Sequence, residues 1–367
     1  MKFLKQKLDA LQKNGLLRNL SVHAHTIDFS SNDYLGFSRS VAFGQAFSKE
    51  LNAEKIAGST GSRLLTGNTL EIEALEKKIA RFHQAESALV FPSGYQANVG
   101  FLSSIAGRGD TVIRDEFCHA SIIDGLRLGF ANTLKFKHNN YSDLDAKLSK
   151  ASGEKFVIIE GLYSMDGDIP DLQAVAELCK KRGAHLIVDE AHTCGLYGNG
   201  GEGIVAESGL ESQVFARIMT YGKAFAYQGG AIVGSEELRQ YLINKSRAFI
   251  YSTGINYSQI LGLSVAYGLV EKAEEERNQL NENIRYFRQA IQGKSSAWID
   301  SHSQIQGVRI PGNTAVMEKS VELKNAGILA LAIRNPTVAE GEERIRICLH
   351  AYNTKSEMDG LIKIVGR

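Results

Sequence analysis

Short apolar runs rich in β-branched residues recur along this chain with longer helical patterns between them, and that alternation constrains its fold more than any other feature. Ser87–Phe91, Thr111–Ile113, Phe156–Ile159, Leu186–Val188, Phe215–Met219 and Gly230–Val233 read as buried strands, with segments such as Leu172–Arg182 as helices between them. The expected fold class is α/β, a doubly wound and mostly parallel sheet. In such sheets ligands bind beyond the carboxyl ends of the strands. Ser93, Asp115, Glu160, Asp189 and Lys223 would all stand there. From about Asn256 a long helix is expected, then a charged helical stretch over Glu271–Arg288. A smaller α+β region follows, with a strand at Arg344–Leu349. The expected division is an N-terminal arm over 1–40, a large domain over 41–258 and a small C-terminal domain over 259–367.

Composition narrows the function classes. An apolar share of 43% in 367 residues allows a sizeable core. Lysine plus arginine number 42 against 41 acidic residues with no block of one sign, so no nucleic-acid or membrane-surface partner is expected. Cys118, Cys179, Cys194 and Cys348 are widely spaced without a CxxC pair, which argues against structural zinc and against a disulfide framework. No metal site is expected. Phe3, Leu4, Leu8 and Leu11 have the spacing of an amphipathic helix, and Lys5, Lys7, Asp9 and Lys13 break any signal-peptide core. The longest mostly apolar run, Ile260–Val270, falls well short of the roughly 20 residues a membrane span needs. The expectation is a cytoplasmic enzyme.

Two strand ends carry the chemistry. His185–Asp189 ends in a carboxylate with His192 just beyond, and a later strand runs into Thr220-Tyr-Gly-Lys223. A carboxylate that keeps a pyridine nitrogen protonated, with a lysine that can form a Schiff base, is the minimum protein equipment for pyridoxal phosphate chemistry. Unpaired on an apolar strand, Asp189 would cost several kcal/mol, so the plainer alternative is a structural salt bridge. Phe91–Asn98 passes from a strand into a helix, so the Gly94 and Tyr95 amides could face a phosphate. The glycine clusters Gly58–Arg63 and Gly198–Gly203 read as turns.

The chain resembles the α-oxoamine synthase family of pyridoxal-phosphate enzymes, which condense an amino acid with an acyl thioester and decarboxylate the product. The resemblance runs through Ser31–Gly36, Gly61–Gly67, Ser93–Asn98, Asp115–Ser121, Glu160–Asp168, Val188–His192 and Thr220–Lys223. It implies an aminotransferase-like fold of type I, with a seven-stranded, mostly parallel sheet in the large domain and a homodimer with shared active sites. By the same resemblance Lys223 is the Schiff-base lysine and the base at the substrate Cα. Asp189 pairs with the pyridine nitrogen, and His119 stacks on the ring. His192 and Ser164 meet the phenolic oxygen. Thr220 and the amides of Gly94 and Tyr95 hold the phosphate, with Ser252 and Thr253 adding contacts from the partner subunit. Arg334 takes the amino-acid carboxylate, while Thr337 and Arg18 lie near the acyl substrate.

Within the family, Ala332–Val338 with Gly341 and Arg344–Arg346 resembles the branch that joins L-alanine to pimeloyl-CoA or a pimeloyl carrier protein. Glycine with acetyl-CoA, or serine with a long acyl chain, remain open, as does a silent partner subunit. Retention of Lys223, Asp189 and His119 argues against the last. Three places depart from the family pattern. Ile72 stands where relatives usually carry histidine, Tyr352-Asn353-Thr354 replaces alanine-histidine-threonine, and Gly254-Ile-Asn-Tyr257 replaces a proline-containing loop.

Overall fold

The computed structural model describes residues 2–13, 15–18, 20, 22, 26–51 and 58–366. The chain divides into two compact units: a larger one of 35–164 and 168–277, and a smaller one of the described residues within 1–34, 165–167 and 278–367.

The larger unit is built on seven strands: β1 (Ser87–Phe91), β2 (Thr111–Asp115), β3 (Asn132–Phe136), β4 (Lys155–Glu160), β5 (His185–Asp189), β6 (Ala216–Thr220) and β7 (Gly230–Gly234). They lie in the order β1-β7-β6-β5-β4-β2-β3. Only β7 runs against the rest, antiparallel to both β1 and β6. Along β4, Phe156 and Ile158 enter one core cluster while Val157 and Ile159 enter the other, as the two-residue period of a strand dictates. Both faces of the sheet are therefore covered, which is why these strands read as unbroken apolar runs.

Helices Gly94–Leu102 and Ala120–Leu128 supply Phe101, Leu102, Ile122 and Leu126 to the first cluster. Helix Leu172–Arg182 supplies Leu172, Val175, Ala176 and Cys179 to the second. That last helix begins where Asp171 accepts from the Ala174 amide at 3.0 Å, carries Lys180, Lys181 and Arg182 in its final turn and stops at Gly183 with φ 60°. β3 carries no strand signal in the sequence. It is an edge strand with only Phe136 buried, so its sequence lacks the apolar run that marks the others.

In the smaller unit, Arg344–Cys348 is the centre of a three-stranded antiparallel sheet between Leu331–Ile333 and Ile305–Arg309. Ile27–Asp28 pairs in parallel with Ile328–Leu329. Helices Lys2–Lys13, Asn313–Asn325 and Lys355–Val365, with most of Glu274–Ile291, complete it. The expected division at 258/259 falls short of the observed one. Helix Tyr257–Val270 is apolar on every side and packs on helices Val41–Glu50 and Leu70–Phe82 of the larger unit. The expected arm over 1–40 also divides, since 35–40 go with the larger unit and 27–28 form a strand of the smaller. Among the described residues no helix is long and apolar enough to cross a membrane.

Candidate active site

The parallel strands deliver their last residues to one edge of the sheet. Glu160 and Asp189, which end β4 and β5, are direct partners in register, and both are buried. Asp189 Oδ1 accepts from the Ala191 amide at 2.9 Å, and its Oδ2 accepts from Asn98 Nδ2 at 3.0 Å. These two bonds aim the carboxylate. Glu160 Oε1 accepts the His119 amide at 2.5 Å. Burial, with the Asp189 charge beside it, pushes the Glu160 carboxyl up to about 8.

His119 caps helix Ala120–Leu128 with its own side chain. Its Nδ1 meets Ser121 Oγ at 2.8 Å and the Ser121 amide at 3.3 Å. Burial draws this imidazole below its ordinary range, Asp189 opposes that shift and Lys223 adds to it. Lys223 also lowers Glu160. One ammonium thus acts electrostatically on both side chains, which brings Lys223, His119, Asp189 and Glu160 into a single cluster.

Beyond β6, Thr220 meets the start of helix Gly94–Leu102. Ser93 takes up the Gln96 amide through Oγ at 3.2 Å and the Ala97 amide through its carbonyl at 3.0 Å. The Gly94 and Tyr95 amides, first in the helix, have no intrahelical acceptor. A Cβ on Gly94 would lie 2.3 Å from Thr220 Oγ1, and one on Gly230 would lie 2.7 Å from the Gly94 Cα. Only glycine at both positions lets the helix N-terminus come this close to the strand end. His192 is buried in the turn after Asp189. Glu190 anchors that turn from behind, accepting from Arg217 Nε at 2.6 Å and Thr193 Oγ1 at 3.0 Å. Ser164 closes the stretch that follows β4 and is half-buried.

Ser252 and Thr253 follow helix Arg247–Ile250, where they line a narrow cleft with Arg63, Ile72 and Phe249. The hydrogen bonds of the Asp189 cluster do not include them. In the smaller unit, Arg334 Nη1 donates to the Gly15 carbonyl, beside the exposed Arg18. Thr337 donates its amide to the Arg334 carbonyl at 2.8 Å. The three predicted substrate residues of this unit thus lie on two neighbouring segments.

The departures also acquire local roles. Ile72 is buried in helix Leu70–Phe82. Tyr352 stacks on His350 at 4.7 Å, and Asn353 Oδ1 accepts both the His350 amide at 2.9 Å and His350 Nδ1 at 3.0 Å. Asn256 caps helix Tyr257–Val270 through the Gln259 amide at 2.7 Å, which gives the altered loop a reason.

Three polar residues at this edge escaped sequence reasoning. Asn98 and Ser121 appear in the motifs, yet nothing assigned them a role; Asn98 stands four residues after Gly94, hence on the same helix face. His138 lies between two carboxylates, with Nδ1 2.9 Å from Asp115 Oδ1 and Nε2 2.8 Å from Asp168 Oδ2. Burial alone would lower it, but the two carboxylates outweigh burial and raise it to about 10. No local sequence pattern links His138 to residues so far along the chain.

The model for class I and II aminotransferases matches residues 24–365. This chain belongs to that family. The 8-amino-7-oxononanoate synthase of Marinobacter nauticus is 37% identical over 342 residues, 93% of this chain and 86% of that protein. A serine palmitoyltransferase from S. paucimobilis, solved with bound pyridoxal phosphate as its adduct with myriocin, superposes with a TM-score of 0.90 at 27% identity, covering 99% of this chain and 96% of that one. The 8-amino-7-oxononanoate synthase of Francisella tularensis superposes at 0.80 with 26% identity, covering 93% of this chain and 97% of that one. The chain is an enzyme of the α-oxoamine synthase group, and its cofactor is pyridoxal phosphate. The edge residues fit that group. A glycine-lined helix start abuts Thr220, a buried carboxylate is aimed by two hydrogen bonds, and a lysine acts on the same cluster.

Proposed function

We propose that this chain condenses L-alanine with a pimeloyl thioester, carried by coenzyme A or a carrier protein, and releases 8-amino-7-oxononanoate, carbon dioxide and the free thiol. This is a cytoplasmic step of biotin biosynthesis. The observation that carries the substrate assignment is the 37% identity with an 8-amino-7-oxononanoate synthase over 93% of the chain.

Bound pyridoxal phosphate supplies an electron sink for the charge that develops at the substrate Cα. The chain's own residues do the rest. Asp189 holds the ring nitrogen protonated, with both carboxylate oxygens already aimed by Asn98 and Ala191. Thr220 and the first two amides of helix Gly94–Leu102 receive the phosphate, favoured by the positive end of that helix. His119 flanks the ring; His192 and Ser164 meet its phenolic oxygen. Ser252 and Thr253 act on the phosphate of a partner subunit in a homodimer. Lys223 Nζ takes the Cα proton. A bond then forms from Cα to the acyl carbon and the carbon–sulfur bond breaks, the sulfur leaving as a thiolate that takes its proton from water. The bond from Cα to the carboxyl carbon breaks next, carbon dioxide departs, and Cα regains a proton from Lys223. Arg334 grips the amino-acid carboxylate with paired hydrogen bonds, with Thr337 and Arg18 toward the acyl substrate.

The likeness to serine palmitoyltransferase, at a TM-score of 0.90, favours a second reading with serine and a long acyl chain. Mass spectrometry of products from alanine, glycine and serine, each paired with pimeloyl, acetyl and palmitoyl thioesters, separates them. The expected product is the alanine–pimeloyl adduct less carbon dioxide, with restored growth without biotin in a cell lacking its own nonanoate synthase. A serine–palmitoyl or glycine–acetyl product with no such rescue would remove the substrate assignment.

A further inference from the structure

We infer that Asn98 and Ser121 are positioning residues, which tie the Asp189 carboxylate and the His119 ring into one hydrogen-bonded chain and so set the His119 proton on Nε2. The direction of that chain follows from counting donors. Asn98 Nδ2 lies 3.0 Å from Asp189 Oδ2 and 3.0 Å from Ser121 Oγ. Turning the amide over would set its oxygen against a carboxylate, so the nitrogen belongs there and spends one proton on each neighbour. Ser121 Oγ is then an acceptor from Asn98, which leaves its own hydroxyl proton free to point to His119 Nδ1 at 2.8 Å. The Ser121 amide reaches the same Nδ1 at 3.3 Å. With two donors aimed at it, Nδ1 is an acceptor, and the ring carries its one proton on Nε2. The lowering of His119 by burial agrees with a neutral ring.

Asn98 is a poor choice for stability alone. Its Oδ1 is buried and has no hydrogen-bond partner among the described residues. A side chain that leaves an acceptor unsatisfied while directing both its protons is explained by what it directs. Asn98 and Ser121 are both buried, and they come from two different helices that pack together on one face of the sheet. The chain therefore couples the group proposed to hold the cofactor's ring nitrogen to the group proposed to lie on its face. This inference rests on the proposed roles of Asp189 and His119, but its first readout needs neither cofactor nor substrate.

The test is nitrogen NMR on cofactor-free protein labelled in its histidine rings, at neutral pH, with the His119 signals identified by their loss in His119→Gln. The expected result is a neutral ring protonated on Nε2. Ser121→Ala should release a mixture of tautomers, while Ser121→Thr, which keeps the hydroxyl, should hold the original one. Asn98→Leu should weaken pyridoxal phosphate binding by about tenfold or more, the size of one hydrogen bond to a charged group, with Asn98→Gln recovering part of the loss. An Nδ1-protonated or doubly protonated ring in the unaltered protein overturns the inference, even where a variant fails to fold. So does a tautomer unmoved by Ser121→Ala, or unchanged cofactor affinity in folded Asn98→Leu. If the tautomer is as expected but no α-oxoamine product forms, it is the proposed function that falls.

Discussion

Glu160 and Asp189 end neighbouring parallel strands in register, so the fold sets two carboxyls side by side at the sheet edge. Like charges at such a distance disfavour double ionisation, and burial adds to the cost, which is why Glu160 is raised to about 8. A folded value above the unfolded one means that Glu160 favours the fold below its ordinary range and loses that contribution as pH rises through 8. The upward shift favours the protonated carboxyl at neutral pH, with Oε1 accepting the His119 amide. Glu160→Gln mimics that state. Its turnover at pH 7 should stay within about threefold of the unaltered enzyme, while any activity change near pH 8 that belongs to Glu160 should vanish from its pH–rate profile. A hundredfold loss at pH 7 would show that the negative charge is required. Reading the sequence picked out Lys223 and Asp189 because strand ends in an α/β sheet can be located from apolar runs, and His119 through the family resemblance of the Asp115–Ser121 segment. It could not see the partners of these residues, since Asn98 and Ser121 reach them through tertiary packing of two helices.

At the scale of elements, the approach of helix Gly94–Leu102 to the end of β6 is the tightest constraint on the site. A methyl on Gly94 would collide with Thr220 Oγ1, and Gly230 on β7 must also be bare for the helix to seat. Gly94→Ala therefore shifts the helix start or turns Thr220 away. Either outcome spoils the proposed phosphate cradle while leaving Lys223 untouched. The expected result is a loss of pyridoxal phosphate affinity of about tenfold or more with a smaller fall in melting temperature, read by cofactor titration and thermal melts. Wild-type affinity in that variant would separate the helix start from the phosphate. Strands buried on both faces were legible in the sequence as apolar runs, and helix Leu172–Arg182 was legible through its spacing. The edge strand β3, with one buried residue, was not.

Across the whole molecule, His138 is a strut between parts of the larger unit that the sequence holds far apart. It joins Asp115, at the end of β2, to Asp168, where the chain re-enters the unit after 165–167. Its ring also stacks on Phe117 at 4.4 Å, two residues before His119. The raised value of about 10 means that this strut stabilises the fold fully below the ordinary imidazole range and progressively less as pH rises through 10. The melting temperature of the unaltered protein should therefore exceed that of His138→Gln by a clear margin at pH 6, and by much less at pH 10. A gap that widens with pH would contradict the imidazolium. The domain division was the least legible feature. The sequence signals helix Tyr257–Val270, but not the surface it covers.

The pairing of Ile27–Asp28 with Ile328–Leu329 sets a clock on synthesis. The two segments are separated by about 300 residues, and a ribosome adding about 5–20 residues per second needs roughly 15–60 s to cover that gap. For that interval strand Ile27–Asp28 has no mate. The larger unit, whose strands all lie between Ser87 and Gly234, can complete its sheet first. The smaller unit must wait for Ile328–Leu329 before Ile27–Asp28 has anywhere to go.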